Sequence, residues 1–465
     1  MRRAVLLVAY HFPPDAAVGA VRVAKLARTL VELGWHVSVV TVREDRLHRR
    51  DPGRLADVAG CRVWRAAEWP TLPELVGRAG RRLGGGRAAA APAAPGPGRG
   101  GEGPGGGGIG ATLRRYALSL GELPDAQVGW LAPAAWRAIQ VVRRERIRVV
   151  VTSSPPRTTA LVGAAVSRLT AVPLVTDLRD PWYWPELRDP ADRTALGDRI
   201  ARRLEAALVR RSRRVVVTTS RYAEALRRAH PWLPADRVAT IWNGFDREAY
   251  GEPPPPVPGA PLRIAYFGSL YLGRTPRELF RALAELLAEG AVAPGEIEVE
   301  LVGEVAQAGG EPVAAMLEAY GLAGCVRLRP PVPHREALRQ MQAADVLLLL
   351  APAQPYCIPA KAFEYLGAGR RILCVADDGA TGDLIRRTDG GLIVAPDDVA
   401  GMKAALVGLL RAHPAPPRPV PAAAEFDRAV LMRRYAELLE DVLRTSASHA
   451  GDRFVRVASP SGGAK

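Results

Sequence analysis

Two predicted loops in the C-terminal half of the sequence carry residues suited to binding a diphosphate. Gly268, Ser269 and Arg274 follow the apolar run RIAYF, and arginine binds phosphate oxygens in a bidentate manner. Lys361 stands near the start of a predicted helix, where the helix dipole also favours an anion. Glu364 lies one turn further on and could accept hydrogen bonds from ribose hydroxyls, although the same spacing is also that of an i,i+3 surface ion pair.

Two predicted loops in the N-terminal half carry a second group of candidates. Gly19 lies at the start of a predicted helix, where backbone N–H groups could approach an anion, and a tight turn explains it equally well. Asp177, Arg179, Asp180 and Trp182 come directly after a predicted buried strand. Carboxylates beside an aromatic ring suit a sugar, but Asp180 could equally cap a turn and pair with Arg179.

Alternating strand and helix patterns must position these loops. The apolar run Ala4 to Ala9, the helical spacing of VRVAKLARTLVELG and the strand pattern HVSVVTV form one β-α-β unit, and a second series starts at RIAYFGSL. We therefore predict an α/β protein with two Rossmann-like, doubly wound domains that face a central cleft. Such sheets bind ligands beyond the carboxyl ends of their strands, which favours a small-molecule enzyme over a two-lobed binding protein.

The 465 residues exceed what one hydrophobic core supports, about 250 to 300 residues. We assign residues 1–250 to an N-terminal domain with a flexible Gly- and Pro-rich insertion at 84–110, residues 251–261 to a Pro-rich linker, and residues 262–412 to a C-terminal domain. We expect a helix at 422–445 to pack back on the N-terminal domain and residues 446–465 to form a disordered tail.

The net charge of +16 is unevenly distributed. Residues 1–250 contain 41 basic and 23 acidic side chains, whereas the remainder contains 23 basic and 25 acidic ones. A basic half of this kind indicates a polyanionic partner, such as an anionic membrane surface, nucleic acid or a phosphate-bearing substrate, although a compositional bias toward arginine could also contribute.

Several features indicate which cofactors and which compartment to expect. The four cysteines have no C-x-x-C spacing, no G-x-G-x-x-G motif follows a predicted strand, and the sequence has no D-x-D. We therefore predict no cofactor and no bound metal. No apolar run reaches the roughly 18 residues of a membrane span, and the N-terminus is typical of a strand rather than a signal peptide. We expect a cytoplasmic protein that contacts the inner face of the cell membrane peripherally.

The motifs together resemble those of the family 4 retaining glycosyltransferases of the GT-B fold, in the bacterial branch that builds cell-surface polysaccharides. The resemblance covers roughly residues 4 to 445 outside the insertion. It is carried by HFPP with the following glycine and arginine, TSSPP at 152–156, DLRDPW at 177–182, NGFD at 243–246, FGSLYLGR at 267–274 and PAKAFEYLGAG at 359–369.

The resemblance implies that the C-terminal domain binds the nucleotide-sugar donor. The family's G-R-x-x-x-x-K motif corresponds to Gly268, Ser269 and Arg274, so the first arginine is replaced by serine. Its E-x7-E motif corresponds to Tyr356 and Glu364, which implies that Glu364 binds the ribose and that Tyr356 lies near the donor sugar. Lys361 is then expected to contact the diphosphate.

The resemblance also assigns roles in the N-terminal domain. Many relatives carry a histidine where Asp177 stands, so Asp177 and Asp180 are the predicted catalytic residues, and Arg179 and Trp182 are expected near the acceptor. Gly19 is expected to contact the donor diphosphate.

The expected reaction is metal-independent transfer of a hexose-type sugar from a UDP- or GDP-linked donor to a hydroxyl, with retention at the anomeric carbon. We expect a lipid-linked glycan or other cell-envelope precursor as acceptor, approached by basic residues that include Arg114, Arg115, Arg143, Arg144, Arg146 and Arg148. A GT-B sugar-nucleotide epimerase is the alternative enzyme, and a basic nucleic-acid-binding protein lacks any recognition motif. The oligomeric state is left open.

Overall fold

The computed structural model describes residues 3–71, 74–75, 123–182, 195–255, 257–271, 273–416 and 421–457. The insertion predicted at 84–110 and the two arginines at 114 and 115 lie outside the described residues.

Seven parallel strands form the N-terminal sheet in the order β3-β2-β1-β4-β5-β6-β7. The strands are β1 (Ala4–Val8), β2 (His36–Val42), β3 (Arg62–Ala66), β4 (Val149–Ser154), β5 (Leu174–Leu178), β6 (Arg214–Val217) and β7 (Val238–Thr240). The helices of this domain are α1 (Val18–Glu32), α2 (Leu131–Glu145), α3 (Arg157–Thr170), α4 (Ala195–Arg211) and α5 (Ser220–Ala229). The strand order reverses between β1 and β4, which makes the crevice at their carboxyl ends the expected ligand site.

Helices cover both faces of this sheet, which explains why its central strands are continuous apolar runs. All five residues of β1, AVLLV, are buried. One face packs against α1, and the other packs against α2, α3 and α4.

Six parallel strands form the C-terminal sheet in the order β12-β9-β8-β13-β14-β15, with a reversal between β8 and β13. The strands are β8 (Leu262–Phe267), β9 (Ile297–Val302), β12 (Val326–Arg329), β13 (Val346–Leu350), β14 (Arg371–Val375) and β15 (Gly391–Val394), and β10 (Gln307–Ala308) forms a separate antiparallel pair with β11 (Glu311–Pro312). The helices are α6 (Arg277–Ala288), α7 (Val313–Ala319), α8 (His334–Ala343), α9 (Ala360–Gly367), α10 (Ala380–Thr388) and α11 (Val399–Arg411). One face of the sheet packs against α6, α7 and α11, and the other packs against α8, α9 and α10.

The last helix, α12 (Arg428–Val457), belongs to the core of the N-terminal domain, although the C-terminal domain precedes it in sequence. Its apolar side chains Leu431, Tyr435 and Leu439 are buried on the α1 face of the first sheet. Residues 446–457, where the sequence predicted the start of a disordered tail, continue this helix. No proline interrupts the sequence there to end the helix.

None of the helices that the structure describes is long and apolar enough to span a membrane.

Candidate functional site

Loops that follow strands of the two sheets face each other across a cleft. Thr219 lies in the loop after β6, and Tyr356 lies in the loop after β13. The Thr219 hydroxyl donates a hydrogen bond of 2.5 Å to the backbone carbonyl of Tyr356. The Cys357 thiol lies 3.8 Å from Asp180 Oδ1. The carboxyl ends of both sheets therefore contribute to one site.

Lys361 lies at the switch point of the C-terminal sheet, in the first turn of α9 and beside the end of β8. Its ammonium nitrogen is buried, stands 4.0 Å from the centre of the Tyr266 ring, and has no hydrogen-bond partner among the described residues. Gly268, at φ 122°, permits this position, because a Cβ there would stand 2.7 Å from Lys361 Nζ. Burial and the charge of Arg274 lower the pKa of Lys361 to about 7.

Arg274 is the second cation of this site. It is only 5% exposed, its guanidinium lies 4.4 Å from the centre of the Tyr271 ring, and its Nε has no hydrogen-bond partner among the described residues. A buried cation without a paired carboxylate is costly unless a ligand supplies the negative charge. Lys361 and Arg274 are thus two buried cations beside the N-terminus of α9, an arrangement that could bind an anion, and their role in binding a diphosphate stays a prediction.

Ser269 contributes less directly than predicted. Its hydroxyl donates to Glu304 at 3.2 Å, and its backbone carbonyl accepts a hydrogen bond from the Tyr266 hydroxyl at 2.8 Å. The geometry therefore gives Ser269 a role in shaping the loop after β8.

Glu364 lies one turn beyond Lys361 on α9. Its side chain is 26% exposed, with one carboxylate oxygen 3.9 Å from His334 Nε2. Burial raises the pKa of Glu364, although the charges of His334, Arg428 and Lys361 act in the opposite direction. A half-buried carboxylate at this distance from the anion site can accept hydrogen bonds from sugar hydroxyls.

Tyr356 packs partly buried against the core of the N-terminal domain. The structure thus places this residue, which was expected near the donor sugar, in the contact between the two domains.

Asp177 has a positioning role rather than the predicted catalytic one. Its carboxylate is buried and accepts hydrogen bonds from Arg22 Nε at 2.9 Å, Arg22 Nη2 at 3.1 Å and the Ser153 hydroxyl at 3.1 Å. Arg22 also donates to the carbonyls of Ile241 and Trp242. A carboxylate that is 2% exposed and doubly bound to a guanidinium cannot reach a substrate.

Arg179 and Gly19 bind each other instead of a ligand. The Arg179 guanidinium donates to the carbonyls of Gly19 at 2.8 Å, Pro155 at 2.8 Å and Ser154 at 3.2 Å. A Cβ at Gly19 would stand 2.9 Å from Arg179 Nη1, which explains the glycine without any phosphate. Arg179 therefore joins the loops after β1 and β4, and it does not face an acceptor as predicted.

Asp180 faces a cavity of about 360 Å³ at the switch point of the N-terminal sheet, between the loops that follow β1 and β4. The Asp180 side chain is exposed to solvent. The protein atoms around it partly desolvate the carboxylate, which raises the pKa of Asp180. Trp182 also borders the cavity, but its side chain is 2% exposed and packs in the domain core, so it supports the wall from behind. The cavity lining is His11, Asp125, Gln127, Ser154, Pro155, Pro156, Arg157, Asp180, Pro181 and Trp182.

Sequence reasoning missed several polar residues of this cavity, among them His11 and Asp125. His11 Nδ1 lies 2.7 Å from the buried carboxylate of Asp15, which orients the imidazole. Its place three residues after the end of β1 could have indicated it. Asp125 accepts hydrogen bonds from the backbone N–H and the hydroxyl of Thr158, so it caps α3. No sequence signal points to Asp125. Among the described residues, no group of three histidine, cysteine or acidic side chains could hold a metal ion.

One family model matches part of this sequence, and several solved structures share the fold. Residues 98–249 match the family model described as Glycosyltransferase Family 4. HepE from Anabaena, solved in complex with UDP, shares the fold at 15% identity and a TM-score of 0.60, over 95% of this chain and 100% of that one. Sucrose-phosphate synthase from Thermosynechococcus elongatus shares it at 16% identity and a TM-score of 0.63, over 96% and 100%. None of the curated proteins matches the sequence.

The lipopolysaccharide outer core galactosyltransferase WaaB, solved in its apo form, also shares the fold, at 11% identity and a TM-score of 0.57, over 94% of this chain and 99% of that one. The two facing parallel sheets thus have the GT-B fold, which confirms the predicted fold class. The match to the family model lies in the N-terminal half of the chain.

We predict that Arg22→Ala lowers the free energy of unfolding by about 3–5 kcal/mol, because it leaves the buried Asp177 carboxylate without its cation. Arg28→Ala, on the exposed side of the same helix, should change it by less than about 0.5 kcal/mol. Chemical unfolding followed by tryptophan fluorescence measures both. A cost below about 1 kcal/mol for Arg22→Ala would contradict the role assigned to this pair.

Proposed function

We propose that the protein transfers a hexose-type sugar from a UDP- or GDP-linked donor to a hydroxyl acceptor, with retention at the anomeric carbon. The observation that carries the proposal is the pair of buried cations, Lys361 and Arg274, neither of which has a carboxylate partner among the described residues. A donor diphosphate would supply the missing charge. HepE, which shares the fold, has been solved with UDP and with UDP and glucose, which supports a nucleotide-sugar donor.

In the proposed reaction, the acceptor oxygen forms a bond to the anomeric carbon while the bond from that carbon to the diphosphate oxygen breaks. The electron pair of the broken bond passes to the diphosphate, which also receives the acceptor proton. Lys361 and Arg274 stabilise the developing negative charge from fixed positions in a partly desolvated site. Because these two cations supply the charge stabilisation, we propose that the reaction needs no metal ion and no cofactor.

The other site residues take roles that follow from their positions. Glu364 would hold the ribose, one helical turn from the diphosphate. Asp180, at the mouth of the cavity in the N-terminal domain, would bind an acceptor hydroxyl or stabilise positive charge at the anomeric carbon.

We further propose a lipid-linked cell-envelope acceptor and peripheral contact with the inner face of a bacterial cell membrane. The outer surface of α2, α3 and α4 supports this contact, because its exposed charges are all arginines. The three acidic residues of these helices are buried: Glu145, Asp198 and Glu205. Trp136, which is 66% exposed on α2, adds an aromatic ring of the kind found at membrane interfaces.

The predicted arginines occupy only part of this surface. Arg143, Arg144, Arg146 and Arg148 are exposed, but they stand where α2 ends and β4 is about to begin. That is the opposite edge of the sheet from the cavity. They can contact a lipid surface and cannot contact an acceptor in the cavity.

A panel of UDP, GDP, ADP and TDP in a thermal-shift or calorimetric assay tests the donor site. One nucleotide should bind more tightly than the others. Arg274→Ala should lower the affinity for it about 10- to 100-fold through loss of charge-assisted hydrogen bonds. Glu364→Ala should weaken it less, and Arg281→Ala, on an exposed helix surface, should leave it unchanged. Binding that survives both site substitutions would refute the assignment. Conversion of one sugar nucleotide into another, without transfer, would favour an epimerase.

Nucleotide affinity should fall as the pH rises from about 7 to 8.5. In the free protein Lys361 loses its proton near pH 7, whereas a bound diphosphate favours the charged form, so binding above that pH requires proton uptake. The affinity should fall up to about tenfold per pH unit, and Lys361→Arg should remove this dependence. Titration calorimetry in buffers of different ionisation enthalpy measures the proton uptake directly. Equal slopes for wild type and variant would contradict the role of Lys361.

Sedimentation with vesicles containing an anionic phospholipid tests the membrane surface. Wild-type protein should co-sediment at low salt and dissociate at high salt. Substituting Trp136, Arg143 and Arg144 by alanine together should weaken binding several-fold, whereas Arg335→Ala with Arg339→Ala on the C-terminal domain should not. Failure of the wild type to co-sediment would eliminate this part of the proposal.

A further inference from the structure

Arg221, near the start of α5, holds the two domains together. Its guanidinium donates to both carboxylate oxygens of Asp378, at 3.0 and 2.8 Å, and to both oxygens of Asp383. Both aspartates belong to the C-terminal domain, where they flank the N-terminus of α10. One arginine of the first domain thus binds two carboxylates of the second, and we call this group the Arg221 clasp.

The aspartates of the clasp lie on a segment that packs against the loop leading into α9. The Asp377 carboxylate accepts a hydrogen bond from the Ala353 N–H at 2.7 Å, and the Ala380 N–H donates to the Pro355 carbonyl at 3.0 Å. Gly379 allows this close approach, because a Cβ there would stand 2.9 Å from the Gln354 carbonyl oxygen. Any shift of the clasp is therefore transmitted to residues 353–358, immediately before the helix that carries Lys361 and Glu364.

Thr219 gives the same loop a second attachment to the N-terminal domain. Its hydroxyl accepts a hydrogen bond from the Tyr222 N–H, which caps α5, and donates to the Tyr356 carbonyl. Thr219 and Arg221 are two residues apart, so the start of α5 is fixed to the C-terminal domain at two adjacent points.

We propose that Arg221 is a positioning residue that couples closure of the two domains to the geometry of the anion site formed by Lys361 and Arg274. The donor-binding part of this inference rests on the proposed function. Asp378 is 77% exposed and Arg221 29% exposed, so water can replace the contacts. The clasp can therefore open and close in each catalytic cycle, whereas a fully buried ion pair would resist opening.

The experiment compares Arg221→Asp with a charge-exchanged variant that also carries Asp378→Arg. Small-angle X-ray scattering reports the separation of the domains, and calorimetry with UDP and GDP reports the anion site. Arg221→Asp should increase the radius of gyration and weaken nucleotide binding about tenfold or more, and the exchanged variant should reverse both changes in part. Arg227→Ala, an exposed arginine on the same helix, is the control.

The two measurements separate the possible outcomes. Unchanged scattering and unchanged affinity in Arg221→Asp would overturn the inference, and so would a wider molecule that binds nucleotide as tightly as the wild type. A wild-type chain that binds none of the nucleoside diphosphates would refute the proposed function. The scattering would then still decide whether Arg221 holds the domains closed.

Discussion

The buried ion pair between Arg22 and Asp177 is the interaction on which the carboxyl edge of the N-terminal sheet depends. It joins the first helix to β5, and through Ser153 and the carbonyls of Ile241 and Trp242 it also fixes β4 and the chain that leaves β7. Removing both charges from water costs several kcal/mol per ion, which well-placed hydrogen bonds offset. The pair thereby fixes the loops that surround the cavity without taking part in chemistry.

The two halves of the cleft differ in how their charges are satisfied. In the N-terminal half, Asp177 has Arg22, and Arg179 has three backbone carbonyls. In the C-terminal half, Lys361 and Arg274 are buried beside aromatic rings, and no carboxylate of the described residues pairs with them. An unpaired buried cation is unfavourable, so these two residues lower the stability of the free protein. Binding of a negatively charged ligand would restore that stability. The paired charges of the N-terminal half thus stabilise the fold, whereas the two cations of the C-terminal half remain available to bind a ligand.

The sequence predicted both sheets, because buried parallel strands are short apolar runs. It also singled out Arg274 and Lys361 in the segments that follow two of these strands, and their joint binding of an anion stays a prediction. It did not predict where the side chains after β5 point. Asp177 and its partner Arg22 are 155 residues apart, and no local pattern shows that the carboxylate turns inward. It also did not predict that Arg179 donates to backbone carbonyls of distant loops, or that Trp182 packs in the domain core behind the cavity wall.

Topology explains why the candidate groups meet. Each sheet reverses its strand order once, between β1 and β4 and between β8 and β13. The cavity of Asp180 and His11 opens at the first reversal, and Gly268 and Lys361 meet at the second. Two crevices that face each other can hold two reactants. In the proposed reaction, the reactant that carries phosphates lies on the C-terminal side. The proposed donor site therefore does not use the positive charge of residues 1–250, which would instead attract a different anionic partner.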